Sequence, residues 1–316
     1  MKAVHIARKG HTLIKLIEVG IAEIQKSSEN PTNARISAIQ TVLDSCNFTK
    51  GNVVTSVGGS SVVIKQVTFP TMSPKEIDSS LKWEAGQYIP LPGDEAEIKF
   101  QIRTADKVEN RSEVLLVAVK KESLKDHLNL IRHFDFQPRI VDATPLALAN
   151  AFLNSTANHE DKNIVLVEIG AGATVITIFR KGGFFLTRDI SIGGDRFTGE
   201  VQAVYNLPYS EAEKAKKEKG FDLDLVKSVL DQLLLELRQS LLYYDTRTGN
   251  KGYHEIVVTG GGSRLTGLDS YLEDKFRIPV VDFNPFSAIT GEDNSPENLQ
   301  ALAPQLGVAM GLALRG

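Results

Sequence analysis

Residues 256–268 read IVVTGGGSRLTGL, in which an apolar, β-branched run enters three successive glycines and then the start of a helix. This pattern predicts a buried strand, a glycine loop and a helix in succession. In such an arrangement the loop backbone and the first helical amides face an anion or a flat base. A structural turn seldom needs three glycines, which favours a ligand-binding interpretation. The candidate ligand-binding residues of this loop are Gly260, Gly261, Gly262 and Ser263.

A second candidate loop lies upstream, where residues 165–174 read VLVEIGAGAT. Small residues after the strand allow backbone N–H groups to approach a phosphate, and an acid at the strand end can hold a metal-bound water. A tight hairpin with glycine at positive φ explains the same letters without a ligand, and for this segment alone both interpretations stay open. The candidates are Glu168 as the catalytic residue and as a metal ligand through water, and Gly170, Ala171, Gly172 and Thr174 as cofactor-binding residues.

Two further segments place charged side chains on predicted helices. In residues 189–198, DISIGGDRFT, a strand passes through Gly194 into a helix that begins with Asp195. Asp195 suits either a helix cap or a position beside a phosphate. Farther along, Glu213 and Lys216 are three residues apart and share a helix face. Such a pair is either a surface ion pair or a pair that binds ribose hydroxyls and an adenine edge.

The rest of the chain predicts an α/β protein with two lobes and an inserted module. Apolar periodicity, glycine and proline punctuation, and a capping box in the letters SPKE at 73–76 define the elements. In chain order they are a hairpin (3–18), a helix (32–46), a second hairpin (53–69), a helix from 73, a strand pair (97–103 and 113–119), a helix (122–133), a strand (138–141), a helix (143–152), an antiparallel meander (163–190), helices (194–247), a β-loop-α-β unit (254–281) and an apolar helix (301–314).

Composition excludes several classes of function. A net charge of −3 gives no general attraction to nucleic acid, and no apolar run reaches the roughly 18 residues that span a bilayer. We therefore expect no nucleic-acid partner and no direct membrane insertion. The single cysteine, Cys46, favours a reducing cytoplasm. The histidines lack metal-ligand spacing, and no Cys-x-x-Cys, G-x-S-x-G or Walker A pattern occurs, so a zinc enzyme or a hydrolase triad has no support.

Taken in order, these segments resemble the actin, Hsp70 and FtsA superfamily. Residues 168–174 look like its second phosphate loop, residues 193–198 like its connecting segment and residues 260–263 like its adenosine loop. Glu213 and Lys216 are similar to the adenosine-binding helix of Hsp70-type members. Over essentially the whole chain the sequence resembles more narrowly the PilM family of the type IV pilus inner-membrane platform, through the stretches 72–92, 117–124, 190–198, 284–286 and 303–316.

The resemblance implies an α/β, actin-like ATPase (ribonuclease H-like) fold of two lobes. Residues 1–72 together with the C-terminal helix 303–316 would form the first lobe. Residues 73–142 would form an FtsA-type inserted subdomain, and residues 143–302 the second lobe, with a helical subdomain at about 195–252.

The same resemblance implies a cytoplasmic component of the pilus platform that binds the N-terminal cytoplasmic peptide of PilN in a groove near the inserted subdomain. It would associate with the inner membrane through that partner and reach PilO, PilC and the pilus motor ATPases indirectly. The expected cofactor is ATP with Mg, as a structural or regulatory ligand. The alternatives are an active actin- or Hsp70-like ATPase and an FtsA-like cell-division filament protein.

Two departures from the family pattern lower the expectation of catalysis. Relatives normally carry a first phosphate loop, G-x-[DE]-I-G-x-x-x-x-K, and Lys2 matches its last residue. We expect the first phosphate-loop strand to be missing, through either truncation or weakened nucleotide binding. The acid of the second phosphate loop is usually aspartate, and Glu168 is one methylene longer. Because a shift of about 1 Å in a reacting group can cost roughly 10²-fold in rate, we expect hydrolysis to be weak or absent.

Overall fold

The computed structural model describes the chain except for residues 10–12, 27–29, 47, 49–51, 91, 107–109, 156–158, 219–224, 250–251 and 290–298. Its strands are β1 (Lys2–Lys9), β2 (Leu13–Ile21), β3 (Asn52–Val57), β4 (Val62–Phe69), β5 (Ala96–Asp106), β6 (Arg111–Lys120), β7 (Gln137–Ala143), β8 (Ile164–Ile169), β9 (Thr174–Arg180), β10 (Gly183–Ile190), β11 (Glu255–Thr259) and β12 (Val280–Asp282). Its helices are α1 (Pro31–Ser45), α2 (Pro74–Tyr88), α3 (Lys121–Arg132), α4 (Thr144–Leu153), α5 (Gly194–Tyr205), α6 (Tyr209–Glu218), α7 (Lys227–Thr248), α8 (Leu268–Phe276), α9 (Leu299–Leu302) and α10 (Gly307–Ala313).

A five-stranded sheet in the order β10-β9-β8-β11-β12 lies within residues 143–302, the range predicted to be the second lobe. The predicted antiparallel meander is confirmed in β8, β9 and β10, and β11 runs parallel to both β8 and β12. Alternate residues of β8 point to opposite faces: Val165 and Val167 pack with the leucines of α7, whereas Ile164 and Leu166 pack with α4 and α10. The central strand is thus buried on both faces, as its uninterrupted apolar run indicates.

The strands β1, β2 and β3, from the range predicted to be the first lobe, take part in two separate strand pairs. The predicted first hairpin is confirmed in the antiparallel pair of β1 and β2. The prediction of a second hairpin at 53–69 is wrong. β3 pairs in parallel with β7, whereas β4 pairs with β6 in another sheet. A single 3₁₀ turn at Gly59–Ser61, with Gly59 at φ +70°, separates β3 from β4 and carries the chain from one sheet to the other.

Residues of the predicted module at 73–142 contribute to a separate three-stranded sheet and a separate core. α2 covers a three-stranded sheet in the order β4-β6-β5, and the Ser73 amide donates to the Glu76 carboxylate at 2.7 Å, as a capping box requires. Strand pairing crosses both predicted boundaries of the module, because β4 joins this sheet and β7 pairs with β3. The division into two lobes and an inserted subdomain otherwise remains a prediction.

The C-terminal region packs against α4, but the prediction of a single apolar helix there is wrong. It is divided into α9, a 3₁₀ turn and α10, because Pro304 interrupts the helical pattern and turns its carbonyl toward β11. α10 lies so close to α4 that a Cβ atom on Gly311 would lie 1.7 Å from the Ala147 carbonyl oxygen. The Asn150 side chain also donates to the Gly311 carbonyl at 2.8 Å.

Candidate functional site

The predicted loops meet at the carboxyl ends of the parallel strands β8 and β11. These strands run in register, with Thr259 opposite Glu168, so the loops that follow them leave the same edge of the sheet. Thr259 and the Gly260 amide both bond to the Pro304 carbonyl, at 2.9 and 2.7 Å, which fixes the start of the glycine loop. The order of the strands therefore brings together two segments that are about ninety residues apart in sequence.

Packing between these loops accounts for two of the three successive glycines. Gly260 has φ +89°, and a Cβ atom there would lie 2.4 Å from the Ile169 carbonyl oxygen. A Cβ atom on Gly262 would lie 2.3 Å from a methyl carbon of Ile169. Ser263 is buried and donates to the Gly260 carbonyl at 3.0 Å. A Cβ atom on Gly261, in contrast, would meet only the Gln305 side chain, at 3.8 Å or more.

The start of α5 closes against the loop that follows β8. The amides of Gly194 and Asp195 donate to the carbonyls of Gly170 and Ala171 at 2.9 and 2.8 Å. Gly193 is required there, because its Cβ atom would lie 2.5 Å from the Ala171 carbonyl oxygen. These first amides of the helix are consequently bonded within the protein.

The same loop keeps two backbone donors available. Within the described part of the chain, the amides of Ala171 and Gly172 have no hydrogen-bond acceptor, and a Cβ atom on Gly172 would meet no atom within 4 Å. Adjacent free amides form a concave donor surface suited to an anion. Thr174, in contrast, is fully buried and donates to the Ile192 carbonyl at 2.7 Å, which joins the start of β9 to the segment that follows β10.

Glu213 and Lys216 form a compact network with Thr198. The Thr198 hydroxyl donates to the Glu213 carboxylate at 2.5 Å, and the Lys216 ammonium donates to Glu213, Thr198 and the Gly194 carbonyl at 2.5, 2.8 and 3.2 Å. Lys216 is 9% exposed, so it is not a solvated surface residue. Although burial opposes it, hydrogen bonds from Lys216 and Thr198 hold the pKa of the Glu213 carboxyl below its ordinary value. All three ammonium protons of Lys216 have acceptors within the protein.

Glu168 lies near two other charged residues, Lys2 and Asp189. Burial raises the pKa of the Glu168 carboxyl, with Asp189 adding to the rise and Lys2 opposing it. Lys2 keeps an exposed surface, yet desolvation lowers the pKa of its ammonium, with Glu168 opposing the change. In the described residues there is no group of three His, Cys, Asp or Glu side chains that could hold a metal ion. The role of Glu168 as a metal ligand through water remains a prediction.

Two charged residues that follow β2, Glu23 and Lys26, form ion pairs with residues of α5 and α6. Lys26, which follows β2, pairs with Asp195 at 2.6 Å and lies 4.3 Å from the ring centre of Tyr209, and Tyr209 donates to Asp195 at 2.7 Å. Lys217 lies 3.1 Å from Glu23. Two predicted site residues are therefore connected to the residues that follow β2: Asp195 pairs directly with Lys26, and Glu213 pairs with Lys217, which also pairs with Glu23.

The structure thus places the four predicted segments next to one another, joined through Gly194 and Ile169. Sequence reasoning did not single out Lys2, Lys26, Thr198 or Tyr209 as site residues. Lys2 had a signal, as the last residue of the phosphate-loop pattern, and Thr198 lies in the quoted segment 189–198. The partners Lys26 and Tyr209 had no local signal, because their contacts join distant parts of the chain.

Comparison with known proteins gives three findings. The sequence family described as type IV pilus assembly protein PilM matches residues 8–316. The solved PilM-PilN type IV pilus biogenesis complex contains a chain similar to this one, at 26% identity and a TM-score of 0.85, over 99% of this chain and 94% of that one. The cell division protein FtsA of Pseudomonas aeruginosa is 30% identical over 44% of this chain and 40% of its own length, and FtsA of Bacillus subtilis is 28% identical over 33% and 23%.

The matched region therefore spans less than half of these two FtsA proteins. The FtsA of Borreliella burgdorferi is similar over more of its length, at 21% identity over 86% of this chain and 75% of that protein. None of the helices in the described ranges is both long and apolar enough to cross a bilayer.

Proposed function

Because this chain belongs to the family of type IV pilus assembly protein PilM, we propose that it is an adaptor of the pilus assembly platform. It binds the N-terminal cytoplasmic peptide of PilN, is held at the inner membrane through that partner, and keeps ATP as a structural or regulatory ligand. PilO, PilC and the motor ATPases are reached indirectly. Family membership and the actin-like α/β fold expected from the sequence are confirmed; the partner and the nucleotide are proposals.

The similarity to the PilM-PilN complex supports the choice of partner. It extends over 99% of this chain, so it includes α2 and the sheet β4-β6-β5, beside which the resemblance places the peptide groove. Trp83 on α2 is 91% exposed. An exposed tryptophan is unusual on a free surface and typical of partner interfaces.

The residues of the candidate site fit a nucleotide at the phosphate end. Ala171 and Gly172 offer free amides, Lys2 supplies a cation, and Glu168 supplies a carboxyl for a metal-bound water. Glu213 and Lys216 would hold the adenosine end by exchanging bonds that they now make to each other. Bound MgATP would supply a polyphosphate charge for these donors and a base for the loop at Gly261.

Binding of a synthetic peptide with the sequence of the PilN cytoplasmic N-terminus, free of tryptophan, tests the partner. Calorimetry should show binding, and the emission of Trp83, the only tryptophan of the chain, should change because the peptide lies beside α2. Trp83→Ala should weaken binding at least about tenfold, the loss typical of an interface hot spot. The matched control is Tyr205→Ala, which removes an exposed aromatic ring elsewhere. Absence of binding by the wild-type chain would refute the adaptor function.

Calorimetry with MgATP tests the nucleotide. Gly172→Ala should weaken binding at least about tenfold, since the added methyl group occupies the space before the free amides, and should leave the unfolding midpoint unchanged. Gly86→Ala on α2 also adds a methyl group in open space and is the control. Phosphate release that disappears in Glu168→Ala would instead favour an active ATPase. Sedimenting polymers in MgATP would favour an FtsA-like filament protein, in line with the FtsA relatives.

A further inference from the structure

The helix α7 presents an uncharged face to solvent. Its opposite face packs on the five-stranded sheet. Along the outer face, residues recur at alternating spacings of four and three, and all of them are exposed and uncharged: Ser228, Gln232, Leu235, Gln239, Leu242 and Thr246. We call this set the α7 stripe. Such a spacing keeps one side of a helix aligned with a second helix along its whole length.

Large apolar side chains lie on the α7 stripe and beside it. Leu235 is 56% exposed, Leu242 is 63% exposed, and the adjoining Tyr243 is 50% exposed. Single exposed apolar residues are common on protein surfaces, but three of them within about two turns of one helix face form a patch. A patch with the spacing of a helix pair favours contact with another helix.

Charged residues lie on the two borders of the α7 stripe. One border consists of Asp231, Arg238 and Asp245, and the other contains Glu236 and Arg247. Tyr271 of α8 donates to Asp231 at 3.0 Å, and Arg188 of β10 donates to Glu236 at 2.9 Å. These neighbouring elements hold the borders in place and leave the stripe between them exposed to solvent.

We propose that the α7 stripe binds α7 of a second copy of this chain, packed antiparallel about a two-fold axis between Gln239 and Leu242. This register places Leu242 opposite Gln239 of the second copy, and Leu235 opposite Thr246 of the second copy. Because the stripe carries no charge, it can meet itself without repulsion between like charges.

The charges on the borders favour a second copy as the occupant and fix its direction. In the antiparallel register, Arg238 lies opposite Asp245 of the second copy, and Glu236 lies opposite Arg247 of the second copy. Two-fold symmetry repeats each pair, so oppositely charged pairs flank the contact on both sides. A parallel arrangement would instead place Asp231 beside Glu236 of the second copy, and these two acids would repel each other.

The proposed contact is small and closes at two copies. α7 has 22 residues and is therefore about 33 Å long. A helix face about 10 Å wide covers less than half of the roughly 800 Å² that each partner contributes to a standard interface, so the dimer is weak. Because both copies use the same surface, the contact does not propagate into a filament. It is also independent of the proposed partner and nucleotide.

Sedimentation velocity of the chain alone, at concentrations up to about 1 mM, tests the proposal. The sedimentation coefficient should rise with concentration to that of a dimer and no further. Leu242→Glu and Gln239→Lys should each weaken dimerisation at least about tenfold, because each brings like charges together near the two-fold axis. Leu153→Glu, at an exposed leucine that ends α4, is the matched control and should dimerise like wild type. All three positions are exposed, so the unfolding midpoint should stay unchanged.

An equimolar mixture of the Leu242→Glu and Gln239→Lys variants tests the register. Dimerisation should recover at least about tenfold over either variant alone, because the glutamate of one chain faces the lysine of the other. No recovery in the mixture would overturn the proposal, and so would dimerisation of Leu242→Glu at wild-type strength.

A wild-type chain that stays monomeric, or that assembles beyond two copies, would also overturn the proposal. If a monomeric wild-type chain bound the PilN peptide and Leu242→Glu abolished that binding, the α7 stripe would belong to that partner instead. Failure of the dimer with peptide binding intact in Leu242→Glu would leave the proposed adaptor function standing.

Discussion

Substitution of Gly260 by alanine tests whether the glycine loop is fixed by contact with β8. Gly260 has φ +89° and ψ 171°, a region of backbone conformation that is open essentially to glycine alone. Its Cβ atom would also lie 2.4, 2.8 and 2.9 Å from the carbonyl oxygen, carbonyl carbon and amide nitrogen of Ile169. These are backbone atoms of a central strand, so no side-chain rotation can relieve the contact.

Two costs add to the expected loss of stability. The unfavourable backbone conformation costs about 1–3 kcal/mol, and forced displacement of packed backbone costs typically about 1–3 kcal/mol more. The free energy of unfolding should therefore fall by about 2–6 kcal/mol, against a typical total of about 5–15 kcal/mol. The same displacement moves Ile169, the residue on which Gly262 also packs.

Urea unfolding of three variants separates the two costs. Gly249→Ala tests positive φ alone, since Gly249 has φ +61° and no atom lies within 4 Å of its Cβ position. Gly193→Ala tests the contact alone, since φ is −147° and Ala171 is 2.5 Å away. We expect Gly260→Ala to exceed either variant, with the denaturant slope unchanged. Equal losses in Gly260→Ala and Gly249→Ala would refute the packing of the glycine loop on Ile169.

Three further predictions concern charge and packing. Burial raises the pKa of Glu168 in the folded chain, so the ionised carboxylate destabilises the fold once the pH exceeds that raised pKa. Glu168→Gln should therefore raise the urea midpoint at neutral pH, but not at a pH below the ordinary pKa of 4.5. A gain that does not depend on pH would contradict this. Lys26→Ala should lower stability by about 1 kcal/mol or less, and the difference from wild type should disappear in 1 M salt, because the Lys26–Asp195 pair is partly exposed. Gly311→Ala should cost about 3 kcal/mol or more in thermal unfolding, since its Cβ atom would overlap the Ala147 carbonyl; a loss below about 1 kcal/mol would show that α10 is not packed on α4 as described.

Local sequence signals predicted most elements, because helices and strands depend on periodicity and on capping residues. The capping box at Ser73 and the meander of β8, β9 and β10 are confirmed for this reason. Strand partners were less predictable. Two glycines, Gly58 and Gly59, lie where β3 ends, but the choice of β7 and β6 as partners depends on residues about fifty or more positions away. Pro304, in contrast, was a local signal against one continuous C-terminal helix.

The glycines of the candidate site also show what sequence alone could not decide. Their number suggested a ligand, yet Gly193, Gly260 and Gly262 are needed because three loops leave neighbouring strand ends and must pass within van der Waals distance of each other. Sequence cannot separate this requirement from ligand approach, since both demand the absence of a side chain. The structure distinguishes a glycine required by loop packing from one that could leave room for a ligand. Gly172 has neither positive φ nor a neighbour at its Cβ position, so loop packing does not require it. The strongest argument for a ligand therefore rests on Gly172 and the free amides beside it, and only secondarily on the conspicuous triplet.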